Sequence, residues 1–98
     1  MSDFNTLINS EKPTLVDFYA TWCGPCKVMN PIIEETKNRL GESVTVLKVD
    51  VDNNREAAVK YGIRGVPTII LFKEGQIIWR QSGMLTTESL VGKVKEII

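Results

Sequence analysis

Three stretches of the chain are β-rich and apolar almost without a break. Thr14-Leu15-Val16-Asp17-Phe18-Tyr19-Ala20 is the first, Val44 to Val51 the second and Thr68-Ile69-Ile70-Leu71-Phe72 the third. Runs that do not alternate with polar residues predict strands covered on both faces. Lys73-Glu74-Gly75-Gln76 reads as a glycine-bearing turn, and Ile77-Ile78-Trp79-Arg80-Gln81 after it completes an antiparallel hairpin.

Helical spacing fills the gaps. Asp3 to Ile8 suits one or two turns. Pro25 to Leu40 places Val28, Ile32, Ile33, Thr36 and Leu40 on one face, Gly41 stops it, and Pro31 inside it predicts a kink. Asn53 or Asn54 is the expected cap of a short helix running to Tyr61, closed by Gly62. Thr86 or Thr87 should cap the last helix, with Leu90, Val91, Val94 and Ile97 turned inward. The predicted order is α, β, α, β, α, β, β, α. Two βαβ-type crossovers and a hairpin imply an α/β fold, a mixed four-stranded sheet with helices on both faces.

At 98 residues the expectation is a single domain spanning 1–98. Twelve Lys and Arg balance twelve Asp and Glu, which argues against nucleic acid or an anionic membrane as a partner. The absence of histidine excludes Ser-His-Asp and Cys-His catalysis and every His-ligated metal site. The first residues carry Asp3 and no basic run, and no apolar stretch nears the roughly 20 residues that span a bilayer. The expected location is therefore cytoplasmic. In a reducing compartment a cysteine pair is more often catalytic or metal-binding than a structural bridge.

The two cysteines lie in Trp22-Cys23-Gly24-Pro25-Cys26-Lys27, after a strand and at the start of a helix. As a stability device the pair is weak, because closing a four-residue ring is worth about 2 kcal/mol in the loop-entropy model. As a redox device it is well placed. A thiolate at a helix N-terminus faces unpaired backbone N–H groups and the positive end of the dipole, which lowers its pKa. Cys23 is the expected exposed nucleophile, and Cys26, one turn on, the resolving thiol. Gly24 leaves the attacking sulfur uncrowded and Pro25 pre-sets the first helical turn. Two thiols without histidine fall short of the four ligands of a tetrahedral zinc or iron–sulfur site, so no metal site is expected in one chain. A site shared in a dimer, or two-coordinate copper(I), is the competing binding reading.

Val16-Asp17-Phe18-Tyr19-Ala20-Thr21-Trp22-Cys23-Gly24-Pro25-Cys26-Lys27 closely resembles the active-site segment of the thioredoxin family. Tyr61-Gly62-Ile63-Arg64-Gly65-Val66-Pro67-Thr68 resembles that family's cis-proline loop, and the likeness runs from Thr14 onward. Two departures stand out. Only 22 residues precede Cys23, so the family's usual opening strand is expected to be missing, and Tyr19 stands where the family commonly has tryptophan.

The resemblance implies a monomeric protein-disulfide reductase. Its partners would be disulfide-containing proteins and an NADPH-dependent thioredoxin reductase, and it would bind no cofactor. Cys23 and Cys26 carry the exchange. Asp17 matches the family's buried carboxylate that serves Cys26, and Lys48 matches the lysine paired with that carboxylate. Pro67 matches the cis-proline facing the disulfide, with Gly65 freeing the turn, and Val66 would offer backbone hydrogen bonds to an extended substrate. Trp22, Gly24 and Pro25 complete the substrate surface. An oxidant or isomerase with the same motif, and a subunit acting without redox chemistry, are the other readings. Gly24-Pro25 favours the reductant, because the family's oxidases and isomerases usually place histidine there.

Overall fold

A computed structural model describes residues 2–98. Helix α1 (Ser2–Ile8) leads to β1 (Thr14–Tyr19), α2 (Gly24–Leu40), a 3-10 turn (Gly41–Ser43) and β2 (Thr45–Asp50). Then come α3 (Arg55–Lys60), β3 (Thr68–Lys73), β4 (Gln76–Ser82) and α4 (Thr87–Ile97). The four strands form one sheet in the order β2-β1-β3-β4. No strand precedes β1 among the described residues.

Local chemistry sets the element ends. Gly41 closes α2 at φ +55°, its N–H reaching Lys37 O. Thr86 caps α4 by accepting the Ser89 N–H at 3.1 Å. Glu74 and Gly75, at φ +52° and +80°, make the two-residue loop between β3 and β4, the positive-φ turn that matches strand twist. Pro31 lies within α2, whose helical assignment continues from Gly24 to Leu40.

The residues of β1 divide between two layers. Leu15 joins Ile69, Leu71, Met29, Ile33, Leu40, Leu90, Val91 and Val94 in a core beneath α2 and α4. Val16 and Phe18 join Phe4, Ile8, Val49, Ile70 and Phe72 beneath α1 and α3. The mixed sheet with helices on both faces is thus as expected.

Four details differ from the sequence reading. β1 pairs parallel with β2 but antiparallel with β3, so only the α2 connection is a parallel crossover; the α3 connection returns to an antiparallel strand. β2 is an edge strand, and Val49 alone in it is fully buried. The inward face of α2 is Cys26, Met29, Ile33, Thr36 and Leu40, leaving Val28 50% exposed; the helix is rotated by about one residue from the predicted stripe because Cys26 belongs to its buried face. Asn54 is the N-cap of α3 by position, yet its amide donates to Asp50 O at 2.9 Å and gives the helix no side-chain cap.

Candidate active site

The end of β1 and the start of α2 set the two sulfurs. Cys23 is the N-cap of α2, with extended backbone (φ −86°, ψ 114°), and Pro25 lies in the first turn. The Cys26 N–H points at Cys23 Sγ at 3.1 Å, so the N-terminal cysteine already sits against a helix-end donor. The two cysteines are joined as a disulfide. Both are buried in this oxidised state, 4% exposed at Cys23 and 2% at Cys26. The expected contrast between an open and a shielded cysteine is therefore absent: the sulfurs pack together with Ala20, against Tyr19, Val51 and Val66.

The loop before β3 closes over this pair from the other side. Val66 O lies 3.7 Å from Cys23 Sγ, a contact rather than a hydrogen bond while that sulfur is in the disulfide and carries no proton. The Val66–Pro67 bond is cis, as the resemblance implied, and Pro67 is buried. Thr68 Oγ1 donates to Gly65 O at 2.6 Å, and the Gly83 N–H donates to Pro67 O at 2.8 Å, which tie the loop to its own base and to the end of β4.

A Cβ built at Gly24 meets no atom within 4 Å outside its chain neighbours, so the fold itself leaves space there. Gly65 is not among the positive-φ residues; the left-handed positions flanking the loop are Gly62 (φ +65°) and Gly83 (φ +92°).

Asp17 is the electrostatic centre of the region. It is 1% exposed, and neither carboxyl oxygen has a hydrogen-bond partner among the described residues. The buried threonines behave differently: Thr14 donates to Leu7 O at 3.0 Å, Thr36 to Ile32 O at 2.7 Å and Thr68 to Gly65 O. Asp17 stands apart from them, since buried polar side chains are ordinarily hydrogen-bonded. Burial pushes the Asp17 carboxyl up from its ordinary value of 3.8 to about 6, with the Lys48 charge acting in the opposite direction.

Lys48 is the register partner of Asp17 across β1 and β2, yet no ion pair joins them among the described residues. Its ammonium instead donates to Asn30 Oδ1 and lies 4.8 Å from the centre of the Tyr19 ring. The expected direct pairing is corrected to this outward placement. β2 is the sheet edge, so a long flexible side chain there can place its charge in solvent.

Trp22 is 70% exposed beside Cys23, and its indole N–H donates to Asp52 Oδ2 at 2.8 Å. Asp52 was not singled out in the sequence. Its signal was the polar run Asp50-Val51-Asp52-Asn53-Asn54 after a strand, a turn whose Asp50 carboxylate accepts the Asp52 N–H and the Asn53 amide. Arg80 was also missed: it donates from β4 to Tyr61 O at 2.6 Å and Gly62 O at 3.3 Å, anchoring the end of α3.

Two concavities open on the surface. One of about 220 Å³ is lined by Tyr19, Ala20, Thr21, Cys26, Lys27 and Asn30, and gives access to the resolving side of the disulfide. A larger one, about 560 Å³, lies between α1 and α3 and shares with the site only Asp52. The chemistry places the site at the smaller one, where the sulfur is.

A dithiol at a helix N-terminus, a cis-proline loop against its first sulfur and a buried carboxyl on the preceding strand define a thiol–disulfide exchange site on an α/β sandwich. The thioredoxin family model matches residues 1–96, and the chain belongs to the thioredoxin family. Thioredoxin Y1, chloroplastic, of Arabidopsis thaliana is 44% identical over 90 residues, covering 92% of this chain and 52% of that protein. A thioredoxin of Mycobacterium tuberculosis is 41% identical over 92 residues, covering 94% of this chain and 79% of that one. The chain spans only a little over half the length of the chloroplastic relatives from Arabidopsis and rice, 52% and 58%. Among solved structures, thioredoxin from Malassezia sympodialis superposes with a TM-score of 0.90 at 35% identity, over 98% of this chain and 84% of that one. A mutant thioredoxin from Halobacterium salinarum gives 0.88 at 32% identity, over 99% and 84%. No helix among the described residues is long and apolar enough to cross a membrane.

Proposed function

We propose that this chain, as a single domain spanning residues 1–98, reduces disulfides in target proteins through a Cys23/Cys26 dithiol–disulfide cycle. The observation that carries the reading is the Cys23 sulfur held at the N-terminus of α2, against the Cys26 N–H on one side and Val66 O on the other. In the reduced protein the same N–H and the helix dipole favour the Cys23 thiolate. That thiolate attacks one sulfur of the target disulfide, forming a Cys23–target bond and expelling the other target sulfur as a thiolate. Cys26 gives its proton to Asp17, attacks Cys23 Sγ and closes the ring, and the second target thiolate leaves. Both target sulfurs take up protons; two electrons pass from the dithiol to the target.

A carboxyl near pKa 6 suits a proton acceptor and donor working close to neutrality. Lys48 tunes that carboxyl by its charge. Trp22, Gly24, Pro25, Val66 and Pro67 form the surface on which an extended target segment lies, with Val66 supplying backbone hydrogen bonds. The electrons come from an NADPH-dependent thioredoxin reductase, no bound cofactor takes part, and the protein works as a monomer in the cytoplasm. Turbidity of insulin with thioredoxin reductase and NADPH tests the reading: wild-type protein should accelerate precipitation and consume NADPH, and Cys23→Ser should do neither.

A further inference from the structure

The Lys48 charge does not sit on the carboxyl beside it. Asp17 and Lys48 are register partners on adjacent strands, so their side chains leave the same face of the sheet. A buried carboxyl without partners beside a lysine is the arrangement in which an ion pair should form. It does not form, and two contacts account for it. The Asn30 side-chain oxygen accepts from the ammonium, and the Tyr19 ring presents its face to it at 4.8 Å. Tyr19 is two residues from Asp17 on β1, and Asn30 is one turn from Cys26 on α2. Both line the concavity that opens on Cys26.

We propose that Asn30 is a positioning residue: its side-chain amide, with the Tyr19 ring, holds the Lys48 ammonium away from the Asp17 carboxyl and leaves that carboxyl free to exchange a proton with Cys26. The inference rests on the dithiol reading above. The groups facing Asp17 make it specific. α2 turns inward Cys26, Met29, Ile33, Thr36 and Leu40, and α4 turns inward Leu90, Val91 and Val94, so Cys26 is the one titratable group on their buried faces. The half-buried Lys93 of α4 is paired with Glu96 at 3.7 Å. β3 places Ile69 beside Asp17. Lys48 is left as the cation that acts on the carboxyl.

Losing the amide frees a four-carbon stem to bring its charge inward. An opposite charge within about 4–6 Å lowers a carboxyl pKa by roughly one to three pH units. Asn30 is exposed on a helix, and Ala is a stronger helix former, so Asn30→Ala should fold.

The experiment follows the Asp17 carboxyl by carbon NMR through a pH titration of the reduced full chain. Asn30→Ala should lower its midpoint by about one pH unit, at the small end of the range expected for an approaching cation. Lys48→Met combined with Asn30→Ala should show no such downward movement relative to Lys48→Met alone. The lower limb of the pH profile for mixed-disulfide release should move down with the midpoint in Asn30→Ala. An unchanged midpoint in Asn30→Ala, or an equal movement in the Lys48→Met background, overturns the proposal. Because the titration needs no turnover, it decides this point separately from the insulin assay, whose failure would overturn only the reductase reading.

Discussion

The two faces of the sheet are built from alternate residues of the same strand and behave in opposite ways. Beneath α1 and α3, Val16 packs in a cluster where Phe4, Phe18, Tyr61 and Phe72 make edge-on and tilted ring contacts, with centroids 5.0 to 6.4 Å apart. Those separations and tilts favour the ring quadrupoles as well as apolar burial. Beneath α2 and α4, Leu15 is apolar core but Asp17 is a buried carboxyl with no hydrogen-bond partner among the described residues. One face contributes stability and the other carries the cost of a buried carboxyl, which the proposed cycle uses for proton transfer. The difference shows why a charged residue is tolerated in an apolar strand: its neighbours on the opposite face offset it.

The sharpest test of that division is on the sulfurs. Cys23→Ser should abolish disulfide reduction in the insulin assay while leaving the unfolding free energy from urea denaturation within about 2 kcal/mol of wild type, since a four-residue ring is worth little more. Cys26→Ser should instead accumulate mixed disulfides, visible by non-reducing electrophoresis. Phe72→Ala, on the aromatic face, should destabilise the fold by about 3–5 kcal/mol in urea. Below its melting range it should keep most of its exchange activity.

Asp17→Asn should go the other way. A carboxyl raised from 3.8 to about 6 in the folded state binds its proton more tightly there than in the unfolded chain. Stability is therefore greatest below about pH 4, falls as pH rises to about 6, and stays reduced above that. The rise of about two pH units, at roughly 1.4 kcal/mol each, sets the gain in Asp17→Asn at no more than about 3 kcal/mol at pH 7. Urea denaturation from pH 4 to 7 should show the fall in wild type and not in the variant. A less stable Asp17→Asn at pH 7 would mean that the carboxylate is paired and that the cost assigned to this face is absent.

The smallest effect expected is at Trp22. Trp22→Phe loses the indole bond to Asp52, an exposed interaction, and should cost about 1 kcal/mol or less in urea. If Trp22 is part of the target surface, the KM for a protein disulfide should rise while alkylation of Cys23 by iodoacetamide stays near the wild-type rate.

Much of this molecule was legible from residues close together in the chain. Glycine punctuation, the Thr86 cap, the Glu74-Gly75 hairpin and the strand runs report local backbone preferences, which act over a few residues. The cysteine pair was legible for the same reason: its chemistry depends on a spacing of three and on the helix that begins between the two residues. The exchange site on an α/β sheet followed from those features.

What only the tertiary structure decided depends on groups brought together across the chain. That β2 is an edge strand is a property of strand order, which a run of apolar residues does not encode, and that edge position lets Lys48 turn outward. Trp22 meets Asp52 and Cys23 meets Val66 O across separations of 30 and 43 residues. The burial of Asp17 follows from its place on β1, flanked by β2 and β3. Periodicity tells which face a side chain takes, because successive residues of a strand point in opposite directions. Which partner it finds there is set by register, rotamer and the competing offers of neighbours from other elements, and those exist only in the folded chain.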